Sequence, residues 1–263
     1  MDLSVAQFSV VSNILSFTIA AMGASAIFSF LSRSSIAPKY RPAMMVSGLV
    51  VSIACYHYFR IYDSWHRAYI LSGDVFKATP ETFNDAYRYA DWILTVPLLM
   101  VELIAVLALA KAEGRNLLTK LVIAATAMIA LGYPGEVSSD TNTRWLFWAL
   151  AMVPFIYILA LLFTQLTKSL ATQPPGVRGL VSSARGVLLI TWAFYPIAYA
   201  IVTVTGTKSA VGLVAIQVGY SIADITSKAG YGLLIYFIAV AKSNAEGYHP
   251  DAVATGRLQG SAA

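Results

Sequence analysis

Seven apolar runs follow one another between Phe8 and Lys242, each long enough to cross a bilayer as a helix. A hydrocarbon core of about 30 Å takes about 20 helical residues. Within it, each backbone N–H and C=O must find a partner inside its own segment or a closed barrel. The spans run from about Phe8 to Leu31, Arg41 to Tyr62, Asp85 to Ala110, Leu117 to Tyr133, Arg144 to Leu166, Leu180 to Val204 and Val211 to Lys242. The fourth reads as the shortest. Breakers and charges fill the gaps: Pro38 to Arg41, Pro80-Glu81, Glu113-Gly114-Arg115, Pro134-Gly135-Glu136, Pro174-Pro175-Gly176 and Gly206-Thr207-Lys208. The longest gap, Trp65 to Thr82, carries Ser72-Gly73-Asp74 between β-prone runs, a hairpin signal.

The expected fold class is an all-α membrane protein, a seven-transmembrane helix bundle in one domain over residues 1–263. The tail after Asn244 is small and polar, and disorder is expected there. Only 12% of the residues are charged and 58% are hydrophobic. An average soluble domain has a charged share of about 25%. The net charge of +5 therefore speaks to loop topology and not to nucleic-acid binding. Cys55 stands alone and can form no internal disulfide. Met1-Asp2-Leu3 lacks the basic start of a cleaved signal peptide. No metal-ligand spacing stands out.

Basic residues favour the cytoplasmic side. With the N-terminus outside, the inner segments hold Arg33, Lys39, Arg41, Lys111, Arg115, Lys120, Lys168, Arg178, Arg185, Lys242 and Arg257. The outer ones hold only Arg67, Lys77, Arg144 and Lys208. Arg60, Arg88 and Lys228 count as embedded. This bias predicts an extracellular N-terminus, a cytoplasmic C-terminus and odd-numbered helices running inward.

Lys228 is the costliest residue in that scheme. Apolar sequence flanks it on both sides, and an ammonium at bilayer depth must be paired, neutralised or covalently used. Asp224, four residues earlier, falls on the same helical face. A buried lysine with its own carboxylate suggests a Schiff-base lysine.

The third run, Arg88 to Glu102, adds Asp91, Thr95 and Glu102. Asp91 and Thr95 differ by about 40° around a helix, and Asp91 and Glu102 share a face about 16 Å apart along the axis. From outside inward the order is Arg88, Asp91, Thr95, Glu102. Two carboxylates, Asp91 and Asp224, lie outward of Lys228 and one, Glu102, lies inward. Such an order can pass a proton one way. Each residue also has a plain reading. Asp224 and Arg88 could be a structural ion pair, and Glu102 could be a helix-end residue reaching water. Thr95 could bond its own backbone. Trp92, Trp192 and Tyr195 could be packing, Pro97 and Pro196 kinks, and His57 a packing residue.

Taken together, Arg88-Tyr89-x-Asp91-Trp92-x-x-Thr95-x-Pro97, Trp192-x-x-Tyr195-Pro196 and Asp224-x-x-x-Lys228 resemble the microbial (type 1) rhodopsins, across all seven spans. The resemblance implies all-trans retinal on Lys228 as a protonated Schiff base. It makes Asp91 the primary counterion and proton acceptor, Asp224 the second counterion, and Arg88 the group that balances them and gates the outward path. Trp92, Trp192 and Tyr195 would sandwich the polyene, with Tyr89, Thr95, Leu99 and Pro196 completing the pocket. The Asp91-Thr95-Glu102 triplet is similar to that of the proteorhodopsin and xanthorhodopsin-like outward proton pumps, with Glu102 as donor. His57 resembles their second-helix histidine, which hydrogen-bonds the acceptor.

Two positions depart from relatives. Ile216 stands where archaeal pumps carry a release glutamate. Trp148 stands where the xanthorhodopsin-like branch has a glycine that opens a carotenoid slot, so no carotenoid antenna is expected. Leu99 favours green absorption. The expected function is a light-driven outward proton pump of the cell membrane. It is an ion transporter and not an enzyme, surrounded by membrane lipid and assembled as a homo-oligomer, with no nucleic acid or metal partner. The alternative is a photosensory rhodopsin signalling to a partner protein. A light-independent proton-coupled transporter with an ion-paired Lys228 is a third.

Overall fold

The computed structural model describes residues 1–171, 173–206 and 209–248. Among them are seven helices long and apolar enough to cross a membrane. They are α1 (Val5–Ser32), α2 (Arg41–Ala68), α3 (Tyr87–Leu107), α4 (Lys111–Glu136), α5 (Thr141–Leu170), α6 (Pro175–Thr205) and α7 (Ala210–Ala245). Their outer faces are apolar, with Ile190 75%, Val204 74% and Leu31 72% exposed. Large apolar side chains on the outside, with charged ones inside, mark a bundle solvated by lipid.

The helix ends explain the differences from the sequence reading. α4 begins at Lys111 and not near Leu117, and has 26 residues. Its polar first turns continue the helix past the apolar stretch, and Pro134-Gly135-Glu136 is its last turn. The shortest span is α3, with 21 residues, about 31 Å at 1.5 Å per residue. α1 starts on a capping box, in which Ser4 Oγ accepts from Gln7 N–H and Gln7 Oε1 accepts from Ser4 N–H, satisfying two terminal donors. α3 ends at Ala108, a non-glycine residue at φ 49°, in a sparsely populated backbone region. The ammonium of Lys242 donates to the Leu107 carbonyl at 2.6 Å. A cation there suits the negative end of a helix.

The hairpin expected around Ser72-Gly73-Asp74 is present. β2 (Tyr69–Ser72) and β3 (Val75–Ala78) pair antiparallel, and Gly73 has φ 63°. β1 (Leu3–Ser4), which the sequence reading missed, pairs with β3 to give the order β1-β3-β2. Under this small sheet Phe8 stacks on Phe76 and Trp65. The sheet marks the end of the bundle where α1, α3, α5 and α7 begin.

At the opposite end the chain after Asn244 stays packed as far as Tyr248. Tyr248 O–H accepts from Arg41 at 3.2 Å, and Glu246 pairs with Lys39 at 2.7 Å. Disorder was expected there. Lys39, just before α2, and Arg41, at its start, hold these residues instead. The rest of the expected disordered tail, with Arg257, lies outside the described residues, as does Lys208.

Candidate functional site

Lys228 does not sit in a regular α-helix. Residues Ile225–Gly230 form a π-helical turn within α7. Such turns occur often at functional sites, and hydropathy carries no trace of one. Lys228 is 2% exposed. Its Nζ donates to Asp224 Oδ1 at 2.5 Å and lies 3.1 Å from Asp91 Oδ2. The structure thus joins α3 and α7 through one cation and two carboxylates.

The two carboxylates have different surroundings. Asp224 is fully buried and well solvated by protein. It accepts from Tyr58 O–H at 2.7 Å, Tyr195 O–H at 2.6 Å and Trp92 Nε1 at 3.3 Å, besides Lys228. Asp91 is 1% exposed, and neither of its carboxylate oxygens accepts a hydrogen bond. Its charge is balanced mainly by proximity to Lys228. A carboxylate with few donors gives up less when it takes a proton. Of the two, Asp91 has fewer hydrogen bonds to lose on taking a proton.

Three expectations need correction, and one open alternative closes. His57 was expected to hydrogen-bond Asp91. Its Nδ1 lies 3.9 Å from Asp91 Oδ1 and 3.0 Å from the Ile53 carbonyl of its own helix. That carbonyl one turn back takes the ring N–H, so His57 adjoins the acceptor without bonding to it. Thr95 was expected in the pocket wall, but its hydroxyl donates to the Asp91 backbone carbonyl at 2.9 Å, which is the plain reading of that residue. Arg88 was expected to balance Asp91 and Asp224. Its closest carboxylate is Asp85, at 3.8 Å, and its guanidinium lies over the rings of Tyr58 and Tyr220. Glu102, for which a water-exposed helix end stood open, is 0% exposed, with both carboxylate oxygens unpartnered.

Lys228 closes one end of an apolar cavity of about 790 Å³, counting its open mouth. Tyr89, Trp92, Leu99, Trp192, Tyr195 and Pro196, all singled out from the sequence, line it. The sequence reading missed Val96, Met128, Ile129, Phe155 and Tyr220 in the same wall, because apolar residues on several helices carry no individual signal. Trp148 also lines it, its indole N–H donating to the Pro196 carbonyl at 3.0 Å. Tyr58 was passed over in favour of its neighbour His57. A tyrosine in an apolar helix needs a hydroxyl partner, which was the available clue. Flat aromatic walls with one amine at the end fit a long apolar aldehyde such as retinal.

Residues 10–242 match the family described as bacteriorhodopsin-like protein. The green-light absorbing proteorhodopsin of Gamma-proteobacterium EBAC31A08 is 32% identical over 228 residues, covering 86% of this chain and 84% of that one. Bacteriorhodopsin of Halobacterium salinarum is 29% identical over 168 residues, covering 63% and 61%. Among solved structures, xanthorhodopsin, described as a light-driven ion pump with dual chromophore, is 52% identical. It superposes with a TM-score of 0.91, covering 95% of this chain and 99% of that one. A thermophilic rhodopsin is 48% identical with the same TM-score, covering 94% and 98%.

Proposed function

The chain belongs to the bacteriorhodopsin-like family and is a multi-pass protein of the cell membrane. From that premise we propose that it is a light-driven outward proton pump carrying all-trans retinal covalently on Lys228. The observation that carries this reading is the position of Lys228 Nζ, 3.1 Å from Asp91 and 2.5 Å from Asp224 at the end of an aromatic cavity. Bound there, retinal supplies the absorption of light and a change in the direction and basicity of the nitrogen.

The residues of the chain do the rest. Trp92, Trp192 and Tyr195 wall the cavity, with Tyr89, Leu99 and Pro196 beside them. Asp224, held by Tyr58, Tyr195 and Trp92, stays ionised as the permanent counterion. Asp91 takes the proton from the Lys228 nitrogen. Thr95 fixes the backbone of Asp91 through its hydroxyl, and His57 adjoins it. Glu102, sealed from water on the other side, is the donor that refills the nitrogen. Arg88 stands outward of the pair as the gate. Trp148 occupies the wall where an antenna carotenoid would enter, so a single chromophore is proposed.

Outward transport puts the sheet-bearing end outside. The basic residues Arg33, Lys39, Arg41, Lys111 and Arg115 at the opposite end support this direction. The same reading includes lipid on the apolar faces and assembly as a homo-oligomer, to be checked from the mass of the complex in native membranes.

Illumination of expressing cells in unbuffered medium tests the function. Acidification that a protonophore abolishes is the expected result. A coloured pigment that moves no protons in the light would defeat the proposal, and alkalinisation would reverse the assigned direction.

A further inference from the structure

The proton that refills the Lys228 nitrogen has to leave Glu102, and the surroundings of that carboxyl oppose the step. Glu102 is 0% exposed and neither of its carboxylate oxygens has a protein partner. A carboxylate formed in such a place without a hydrogen bond is costly. A donor that meets the charge as it forms lowers the cost, most of all when it is already in position.

One buried hydroxyl nearby has nothing else to do. Tyr231 is 0% exposed and its O–H has no partner among the described residues. The buried tyrosines Tyr40 and Tyr58 each donate to a carboxylate instead. Buried polar groups are rarely left unsatisfied without a role, and packing alone is served as well by phenylalanine. At the next residue the α7 backbone closes on Glu102. A Cβ at Gly232 would strike Ser47 Oγ of α2 and lie 3.8 Å from Glu102 Oε1 of α3. Glycine there lets the three helices meet around the carboxyl. Tyr231 stands three residues past Lys228, on the Glu102 side. Helical side chains lean toward the N-terminal end of their helix, which here is toward Lys228. The hydroxyl therefore belongs to the stretch between donor and nitrogen, and the charge of Glu102 acts on it there.

We propose that Tyr231 is a positioning residue for the return proton: its O–H donates to the Glu102 carboxylate as that group gives up its proton. This rests on the pump reading above. The proton balance is simple. One proton leaves the Glu102 carboxyl for the Lys228 nitrogen. Tyr231 keeps its own proton and shares it with the new anion. When Glu102 takes up a proton again, the hydrogen bond lapses and the hydroxyl returns to its unpartnered state. An unpaired donor beside an unpaired carboxyl is the arrangement such a cycle starts from.

The test uses purified, retinal-loaded protein with flash spectroscopy and time-resolved infrared spectra. The visible band reports the first transfer and the recovery. The carboxyl C=O band that Glu102→Gln removes reports ionisation of the donor. Tyr231→Phe keeps the ring and its packing, so the pigment should form and the first transfer should keep its rate. Loss of the Glu102 band and recovery of the resting spectrum should both slow by about tenfold, the effect of one hydrogen bond to a charged group. In Glu102→Gln no charge forms at this place, so adding Tyr231→Phe should change recovery by less than about twofold. A hydroxyl with a merely structural role would slow both backgrounds alike. That result would overturn the proposal, as would wild-type recovery in Tyr231→Phe, and either would leave the pump reading intact. Wild-type protein with no light-driven proton signal would overturn both.

Discussion

Tyr58 O–H donates a 2.7 Å hydrogen bond to Asp224 Oδ2, reaching from α2 to α7 at the depth of Lys228. Tyr195 meets the other oxygen of the same carboxylate from α6. Two tyrosines on different helices thus fix one carboxylate, leaving Asp91 as the carboxylate of the pair without a hydrogen-bond donor. The different roles proposed for two acids of the same type rest on that contrast.

Tyr58→Phe should destabilise the protein by about 1.5–3 kcal/mol, the worth of a hydrogen bond to a charged group. It leaves Asp224 Oδ2 without its donor in a buried setting. Thermal bleaching of the purified pigment should begin at a lower temperature. An unchanged bleaching curve would show that another group has taken the place of the hydroxyl.

Asp91→Asn should abolish light-driven acidification and shift the visible band to longer wavelength. Removing the anion 3.1 Å from the Lys228 nitrogen stops holding positive charge at that end of the chromophore. Protonation removes the same charge. Acid titration of the wild type should therefore move the band the same way and end pumping at the same midpoint. In the variant the acid shift should vanish. A shift that persists there would assign the titration to another group.

Glu102→Gln should leave the pigment and the first proton transfer intact and slow the refilling step. A positioned acid–base group contributes about 10²–10⁴-fold, so recovery of the resting spectrum should slow by about 10²-fold or more. Flash spectroscopy at fixed pH reads this directly. Recovery at the wild-type rate would remove Glu102 from the donor role.

Glu246 provides a pH test outside the membrane. Burial by itself would push its carboxyl up, but hydrogen bonds from Lys39 and Tyr40 outweigh this and hold it below the usual glutamate value. A lowered folded-state value gives stability that is present above the ordinary carboxylate range and lost as pH falls through the lowered value. Glu246→Gln should therefore reduce thermal stability at neutral pH, and the gap to wild type should close in acid. Both partners are well exposed, so the effect is small. A gap that stays constant into acid would show that the latch acts through packing and not charge.

The span count, the hairpin and the Asp224–Lys228 pair within α7 were legible because they depend on local rules. A run of apolar residues, a Ser-Gly-Asp turn and an Asp four residues before a Lys each have a short-range signature. The ends of α4 were not legible because its polar turns carry no hydropathy signal; the pairing of Leu3–Ser4 with β3 and the order beyond Asn244 were not, since each is decided by a partner far away in the chain. The same holds at the site. Asp91, Asp224 and Lys228 stood out as charges where charge is costly. Tyr58 did not, because a tyrosine carries no such cost until its position is known.

By itself, then, the amino-acid order determined that seven helices cross a bilayer and that a lysine inside it must answer to nearby acids. The cost of burying backbone dipoles and charges in hydrocarbon leaves few other solutions. Tertiary structure alone decided which acid is tied down and which is left free. It turned Arg88 away from the inner pair toward Asp85, held His57 just short of a bond to Asp91, and brought Ser47 and Glu102 from two other helices against Gly232. Those outcomes depend on distances of a few tenths of an ångström between side chains on different helices, and only packing sets such distances.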